Sequence, residues 1–443
     1  MLFLIKGDIL TLNKHSEILY QSAVVIKDGY IEAIGSYPDM INGYPEAEVI
    51  DCSSMMIAPG FVNSHYHGAL VVNRGVGADT GVPPLYSRNV PQGVLLTEEE
   101  CDLFNILGYV EALRAGNTCI GANYIHSNRS LKALENLGLR AVISERIHNI
   151  DFFRVPENLY LIDEKAQYET LSKNIYLLEN WHGKANGRIT CHFGPHAPDT
   201  CTTSFLEEII SLAHKYDVGI TTHLAQSKME LEEIKRRDGM TPVQLYDSLG
   251  ILGPKTVAGH CIHLTEEDEE LLAKTNTSVA HIPEGNLKKG DVAPIASLEG
   301  KGVNVTICTD SMSGSMFESM RFGLAVHRLS SEKRTEPKPQ HILEMATLNG
   351  AKALGMEEEI GSIEVGKKAD LIAVKKNKFH LAPIVSPYGT LVHSAQATDV
   401  EHVWIDGEWR VKHGQVVGVD EEALCAEVQA LSDQCWSRYA KSY

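Results

Sequence analysis

The sequence lacks the cysteine pairs that mark a disulfide framework or a thiolate metal site. Its nine cysteines are scattered singly along 443 residues, their number is odd, and no CxxC pair occurs. A small disulfide-stabilised domain and a zinc ribbon are both disfavoured by this pattern. We expect reduced, mostly buried thiols in a cytoplasmic protein. A chain of this length buries enough apolar surface to fold without covalent crosslinks.

Long apolar runs and an excess of basic residues are also lacking. No stretch approaches the roughly 18 apolar residues that a membrane-spanning helix needs. The apolar start of the chain, LFLIKGDILTL, has neither the basic flank nor the cleavage signature of a secretory signal. With 58 acidic and 40 basic residues, the formal net charge is −18. We therefore expect neither a membrane nor a nucleic acid as a partner.

The order of apolar and polar residues indicates an α/β protein with an accessory β domain. Between residues 60 and 355, short apolar runs alternate with helical stretches, and about eight such units fit the size of a (β/α)₈ TIM-type barrel. Strand-like runs with turn signals occupy residues 1–59 and return in residues 356–443, which end in an amphipathic helix. We expect the two ends to form one small β-sandwich domain.

Histidines occur where the predicted barrel strands end. His65 and His67 lie two positions apart after the Pro59-Gly60 turn. Side chains at positions i and i+2 of a strand point to the same side, so both imidazoles can bind one ion. An HxH pair alone is a weak signal, because two core histidines would look the same.

Other polar residues repeat this placement after apolar runs, and the carboxyl ends of barrel strands form the active face of such folds. Imidazole and carboxylate together, without thiolate, suit one divalent ion, zinc or alternatively iron, with an open position for water. The additional residues that follow apolar strand runs in this way are His196, His223, His260, His281 and Asp310.

Taken together, these motifs resemble the amidohydrolase superfamily. The closest likeness is to its cytosine deaminase-like branch, which includes methylthioadenosine/S-adenosylhomocysteine deaminases, guanine deaminase relatives and triazine hydrolases. The resemblance covers nearly the whole chain. The segments that carry it are PGFVNSHYHG, HFGPHAP, THLAQ, GHCIHLTEED, SVAHIPEGNLKKG, TICTDS and the late GSIEVGKKADLIAV.

The resemblance implies a role for each position. His65, His67 and His223 would bind the metal with Asp310, which would also accept a proton from the attacking water. His260 would orient the water and the developing oxyanion. His196 would contact the substrate. From their places near strand ends, we also expect Gln226 and His281 to be substrate-binding residues. The fourth predicted strand has no lysine of the kind that bridges two metals, so we expect one ion.

Two departures from the deaminase pattern bear on the substrate. The branch places a proton-delivering glutamate three residues after the fifth-strand histidine, whereas this chain has Gln226, whose amide carries no titratable proton. Glu230 and Glu284 are candidates to replace it. The segment between His67 and Glu98 is compact, and Asp79 is its only acidic residue, which favours a small heterocycle over a nucleoside.

Three functions remain open from the sequence. The first is hydrolytic deamination of a nitrogen heterocycle of the purine, pterin, pyrimidine or triazine type. The second is hydrolytic displacement of chloride or an alkylamine from an activated ring, which needs less proton delivery. The third is a catalytically silent barrel that acts as a binding protein. For assembly, the resemblance leaves a homo-oligomer as an option, since superfamily members are often dimers or larger.

Overall fold

The computed structural model describes residues 1–88, 90, 95–311, 313–331 and 333–442. No helix within these ranges combines the length and the apolar character needed to cross a membrane. The strands are β1 (Leu2–Leu10), β2 (Ile18–Lys27), β3 (Tyr30–Ser36), β4 (Glu48–Pro59), β5 (Phe61–Tyr66), β6 (Asn117–Tyr124), β7 (Arg140–Glu145), β8 (Ile189–Cys191), β9 (Ile220–Leu224), β10 (Thr256–His260), β11 (Ser278–His281), β12 (Val305–Ile307), β13 (Leu371–Lys375), β14 (Val400–Ile405), β15 (Glu408–Lys412) and β16 (Gln415–Val416).

Helices separate most of the parallel strands. They are α1 (Tyr37–Gly43), α2 (Glu98–Arg114), α3 (Leu131–Leu137), α4 (Glu164–Trp181), α5 (Thr203–Tyr216), α6 (Lys228–Asp238), α7 (Pro242–Ser248), α8 (Glu266–Lys274), α9 (Pro283–Lys288), α10 (Ile295–Gly300), α11 (Met316–Ser330), α12 (Pro339–Met345), α13 (Leu348–Ala353), α14 (Pro387–His393) and α15 (Glu421–Ser442).

The two ends of the chain share one β-sheet. Its strand order is β16-β15-β14-β13-β4-β1-β2-β3. Hydrogen bonds join these strands in one sheet rather than in the two sheets of the expected sandwich. The reason is the long strand β4, which pairs in parallel with β1 on one side and antiparallel with β13 on the other.

The eight parallel strands from β5 to β12 form the core that carries the site. They make two sheets, β5-β6-β7-β8 and β9-β10-β11-β12. Single backbone bridges connect the sheets at both edges, one between Phe193 and Ile220 and one between Tyr66 and Asp310. Helices follow these strands along the chain, which is the alternation of a TIM-type barrel. In this architecture the carboxyl ends of the strands converge on one face.

The C-terminal helix α15 lies against the region that follows the HxH pair. The Trp436 indole donates a hydrogen bond to the backbone oxygen of Val72, at 2.9 Å. Arg438 forms an ion pair with Glu100 of α2, at 2.7 Å. Val428 and Cys435 join a buried apolar cluster with residues of the short 3₁₀ helix Gly68–Asn73. The last helix therefore supports the segment that starts at the end of β5.

Candidate metal centre and substrate pocket

Three histidines from two strands converge at the carboxyl end of the barrel. His65 and His67 come from the end of β5, and His223 comes from β9. The Nε2 atoms of His67 and His223 are 3.1 Å apart, and the His65 ring centroid lies 4.7 Å from that of His67 and 4.8 Å from that of His223. Ligand nitrogens of all three lie within 4.8 Å of one another. This is a compact set of three imidazoles.

The unpaired nitrogens of this cluster suit a divalent ion. Both ring nitrogens of His65 and the Nδ1 of His67 are buried without a hydrogen-bond partner, which is costly unless a ligand satisfies them. The Nδ1 of His223 donates to the backbone oxygen of His196 at 2.8 Å, and this fixes the tautomer with a free Nε2. Tetrahedral zinc with bonds near 2.0–2.1 Å separates ligand atoms by about 3.3 Å, close to the observed 3.1 Å.

Burial keeps these histidines in the neutral, ligating form. Loss of solvation lowers the pKa of His65 to about 4. Burial, followed by the neighbouring imidazoles, holds the pKa of His67 and of His223 well below 6.5. A neutral imidazole offers a lone pair, whereas an imidazolium does not. The cluster is therefore ready to bind a cation near neutral pH.

Asp310 lies beside the three histidines and presents its carboxylate to them. Its Oδ1 lies 3.3 Å from the Nε2 of His67, and its Oδ2 lies 4.0 Å from the Nε2 of His260. Its backbone N–H donates to the oxygen of His65, and its own oxygen accepts from the N–H of His67, both at 3.1 Å. Asp310 has a φ of +56°, a left-handed conformation unusual for a non-glycine residue. The backbone bridge to β5 holds it there.

His260 ends β10 beside this cluster, and its tautomer follows from its partner. Its Nδ1 lies 3.1 Å from the Oδ1 of Asn286. An amide oxygen only accepts, so Nδ1 carries the proton and Nε2 presents a lone pair. Burial lowers the pKa of His260 to about 3. At neutral pH the Nε2 of this side chain can therefore accept a hydrogen bond on the side that faces Asp310.

A pocket opens above these residues. His67, His223, His260 and Asp310 line its floor, and the predicted contacts His196 and Gln226 also line it. The Nδ1 of His196 is paired with the hydroxyl of Thr200 at 2.9 Å, which leaves its Nε2 for a ligand. Apolar residues form much of the wall, namely Leu70, Pro83, Pro84, Leu85, Ile125 and Phe152.

His281 and the two candidate acids do not line this pocket. His281 is buried at the end of β11 and is absent from the lining, so the predicted substrate contact has no structural support. Glu230 accepts the backbone N–H groups of Ala225 and Gln226 at 2.7 and 2.8 Å. Glu284 is paired with Lys288 at 2.8 Å. Both oxygens of Glu230 are therefore engaged by the backbone, whereas Glu284 is paired through one oxygen and its Oε2 is buried without a partner.

Sequence reasoning did not identify Arg146, Tyr124 and Phe152, which also line the pocket. Tyr124 is the last residue of β6 and Arg146 is the first after β7. Their position after apolar strands is the same signal that identified the histidines, although a charged or aromatic residue there is also common in an exposed loop. Part of the segment between His67 and Glu98, residues 89 and 91–94, lies outside the described residues.

Similar proteins were found by family, by sequence and by structure. A profile of the amidohydrolase family matches residues 56–410. The 5-methylthioadenosine/S-adenosylhomocysteine deaminase of Moorella thermoacetica is 33% identical over 418 residues, which cover 93% of this chain and 94% of that protein. An adenosine deaminase structure from Xanthomonas campestris with bound zinc has a TM-score of 0.88 at 26% identity, covering 98% of both chains.

Atrazine chlorohydrolase from Arthrobacter aurescens, solved in complex with zinc, has a TM-score of 0.86 at 19% identity and covers 97% of this chain and 100% of its own. At that identity the likeness concerns the fold. The matches confirm a TIM-barrel fold with an additional domain, and they confirm the resemblance inferred from the strand-end motifs. Since the family profile spans most of the chain and the Moorella relative matches nearly its full length, the chain belongs to the amidohydrolase family.

Proposed function

We propose that the protein catalyses hydrolytic deamination of an amino-substituted nitrogen heterocycle of the purine type, with one zinc ion. The observation that carries this proposal is the cluster of His65, His67, His223 and Asp310 at the floor of a pocket at the carboxyl ends of the barrel strands. The relatives named as adenosine-type deaminases support the reaction class. A silent binding barrel would have no need of buried, unpaired ligand nitrogens.

A divalent ion held by these side chains would supply a water-derived nucleophile near neutral pH. The chain's own groups then position and deprotonate the water. Asp310 accepts its first proton, since one carboxylate oxygen is directed toward His67 and the other toward His260. The lone pair on Nε2 of His260 accepts a hydrogen bond from the remaining O–H of the water. This hydrogen bond orients the water oxygen toward the substrate ring. The apolar wall excludes bulk water and strengthens these contacts.

The proton for the departing amine comes from Asp310 in this scheme. Glu230 accepts hydrogen bonds from two backbone N–H groups. The only N–H of neutral His260 is hydrogen-bonded to Asn286. Gln226 binds the ring through its amide but has no proton to transfer. Asp310 therefore takes one proton from water and passes it to the amine, which departs as ammonia, so one carboxylate serves both steps. The other hydrogen of the water remains on the product oxygen or moves to the ring nitrogen, which gives the oxo compound.

The test is ammonia release from a panel of aminopurines, aminopyrimidines, aminopterins and aminotriazines by the zinc-loaded protein. Asp310→Asn is expected to keep the fold and lose about 10²–10⁴-fold in kcat, because it removes the proton acceptor. If no member of the panel releases ammonia, or if Asp310→Asn keeps full activity, the proposal is wrong.

A second candidate is displacement of chloride or an alkylamine from an activated ring. Gln226 in the pocket lining favours it, because a better leaving group needs no acid at that position. Halogenated and alkylamino triazines in the same panel test whether the protein releases chloride or alkylamine rather than ammonia. Release of chloride or alkylamine at a higher kcat/KM than ammonia would replace the first candidate by the second.

A further inference from the structure

The apolar wall that residues 83–85 contribute to the pocket continues into a buried tyrosine. Tyr86 ends the 3₁₀ helix Pro84–Tyr86 and is only 4% exposed. Its hydroxyl donates a hydrogen bond to the Oδ2 of Asp199 at 3.0 Å. Because Asp199 lies in the segment after β8, this hydrogen bond connects the wall to the barrel.

Asp199 belongs to a segment that is itself fixed in place. It lies in the 3₁₀ helix Pro198–Thr200, three positions after His196, which lines the pocket. The hydroxyl of Thr200 is paired with the Nδ1 of His196 at 2.9 Å. Arg237 of α6 donates hydrogen bonds to two backbone oxygens in and next to this helix, both at 3.0 Å. Asp199 is therefore a firm point to which a more loosely held wall can be attached.

The Asp199 carboxylate is fully buried and forms no ion pair within the described ranges. Arg237, whose charge acts on Asp199, is paired with Asp238 at 2.7 Å. Burial raises the pKa of Asp199, and burial followed by the Asp199 charge raises that of Glu230, a second buried acid beside it. Such a charge destabilises a folded protein. A hydrogen bond to a carboxylate is about twice as strong as one between neutral groups, so strong anchoring of Tyr86 explains why a carboxylate stands here.

A second phenol lies beside the same carboxylate without completing a hydrogen bond to it. The Oη of Tyr160 and the Oδ1 of Asp199 are both buried without a partner. Burial, followed by the charge of Asp199, raises the pKa of Tyr160, which shows that the two groups are close. Tyr160 also packs on the apolar cluster that contains Tyr86 and Phe152, and Phe152 lines the pocket. An unused donor and an unused acceptor therefore face each other between the two apolar walls.

We propose that Asp199 is a positioning residue that anchors both apolar walls of the pocket. Through Tyr86 it holds residues 83–85 above the metal cluster, and through Tyr160 it draws in the wall that carries Phe152 when a substrate binds. Asp199 is not part of the described pocket lining, so it acts through the two phenols. This inference rests on the proposed function for its kinetic readout, whereas the anchoring of the wall is a property of the protein alone.

The first readout is the kinetics of variants that break the Tyr86–Asp199 hydrogen bond. Tyr86→Phe keeps the ring and removes the hydroxyl. We expect KM for a productive aminoheterocycle to rise about tenfold with kcat within about twofold of wild type, because the wall binds the substrate but takes no part in the chemical step. Asp199→Ala should act alike, and the double variant should be no worse than either single one. Asp199→Asn keeps an oxygen acceptor and should restore most of the affinity.

The second readout needs neither substrate nor metal. The backbone N–H groups of Tyr86 and Ser87 are hydrogen-bonded to the oxygens of Pro83 and Pro84, at 2.9 and 3.2 Å. Their hydrogen exchange reports local opening of the wall. We expect it to be about tenfold faster in Tyr86→Phe and in Asp199→Ala than in wild type.

The matched control is Tyr388→Phe, which removes a hydrogen bond of the same length from another buried tyrosine. The Tyr388 hydroxyl on α14 donates to the backbone oxygen of Ser16 at 3.0 Å. This variant can lower the thermal midpoint, but it should leave KM and the exchange of the wall unchanged. Tyr160→Phe separates the second part of the proposal. It should raise KM by a few-fold without lowering the thermal midpoint of the ligand-free protein, because its hydrogen bond forms only with substrate bound.

The two readouts separate this inference from the proposed function. If no aminoheterocycle releases ammonia, but exchange of the wall is faster in Tyr86→Phe and Asp199→Ala and unchanged in Tyr388→Phe, the proposed function fails and the anchoring role stands. If ammonia is released and Tyr86→Phe changes neither KM nor the exchange, the anchoring role is overturned and the deaminase remains. Additive effects of Tyr86→Phe and Asp199→Ala would also overturn it, because the two groups would then act independently.

Discussion

At the scale of single residues, a glycine makes room for the histidines of the candidate metal site. Gly259 precedes His260 on β10, and a Cβ placed there would lie 2.9 Å from the Cε1 of His65. The ring is buried among other imidazoles and has little room to move. The absence of a side chain at Gly259 is thus what allows His65 to face His67 and His223.

Gly259→Ala should displace the His65 ring and weaken metal binding by about 10–100-fold, the range seen when the support of a metal ligand is disturbed. Zinc affinity by competition with a chelator measures this. Gly253→Ala is the matched control, since a Cβ there meets nothing within 4 Å. Unchanged zinc affinity in Gly259→Ala would mean that His65 is not a ligand.

Gln226 provides a second prediction at this scale. Its backbone is held by Glu230, and its side chain lines the pocket. Gln226→Ala should raise KM with a loss of kcat well below the 10²–10⁴-fold that follows removal of a general acid. Gln226→Glu should add an ionisation to the pH–rate profile. A collapse of kcat in Gln226→Ala with unchanged binding would show instead that the amide acts in the transition state.

The histidines and Asp310 could be predicted from the sequence because each follows a short apolar run, and the barrel brings those ends together. The position of Arg146 in the pocket could not be predicted, because the sequence SERI at the end of a strand does not show whether the guanidinium reaches solvent or lies over Tyr124. His281 shows the converse limit. It also ends a strand, but its side chain is buried outside the pocket lining, which only the three-dimensional packing decides.

At the scale of elements, α15 couples the end of the chain to the pocket. Trp436 donates to the oxygen of Val72, and the same 3₁₀ helix carries Leu70, which lines the pocket. Periodicity predicted this helix. Its docking site could not be predicted, because an amphipathic helix packs on any exposed apolar face.

Trp436→Phe keeps an aromatic ring but removes the indole N–H that fixes the 3₁₀ helix. We expect a KM increase of a few-fold with normal zinc content and little change in kcat. The reason is that Leu70 shifts in the pocket lining while the histidines and Asp310 keep their positions. Glu427→Ala, an exposed position on the same helix, should have no effect. If Trp436→Phe leaves KM unchanged, α15 does not shape the pocket.

At the scale of the whole molecule, buried histidines link stability to pH. Burial lowers the pKa of His148 and His192 to about 4 and that of His281 to about 3, from 6.5. At a pH between 6.5 and 4, these histidines are protonated in the unfolded chain but neutral in the folded one. Their contribution to the free energy of unfolding is therefore complete above pH 6.5 and is lost as the pH falls toward 4. Burial also raises the pKa of three carboxyls, that of Glu145 to about 7, that of Glu230 to about 8 and that of Asp199 to about 6, which acts in the opposite direction.

The histidines outnumber the buried carboxyls of this kind, so their effect should dominate. The urea concentration at the unfolding midpoint of the metal-free protein is expected to fall between about pH 7 and pH 5. A midpoint that is constant or rises over this interval would show that the buried imidazoles are already protonated in the folded protein.

The arrangement of the sheets was predictable from the sequence only in part. Alternating strands and helices indicated the barrel, and the late strands indicated a domain built from both ends. The single sheet could not be predicted, because the pairing of β4 with β13 joins residues more than 300 positions apart in the chain.

The most direct measurement for the whole account is the zinc content of the protein together with ammonia release from a productive aminoheterocycle before and after chelation. We expect about one zinc per chain, loss of ammonia release on chelation, recovery on adding one equivalent of zinc, and neither binding nor recovery in a His67→Ala, His223→Ala double variant. Full ammonia release by the metal-free protein, or undiminished zinc binding and activity in the double variant, would contradict the account.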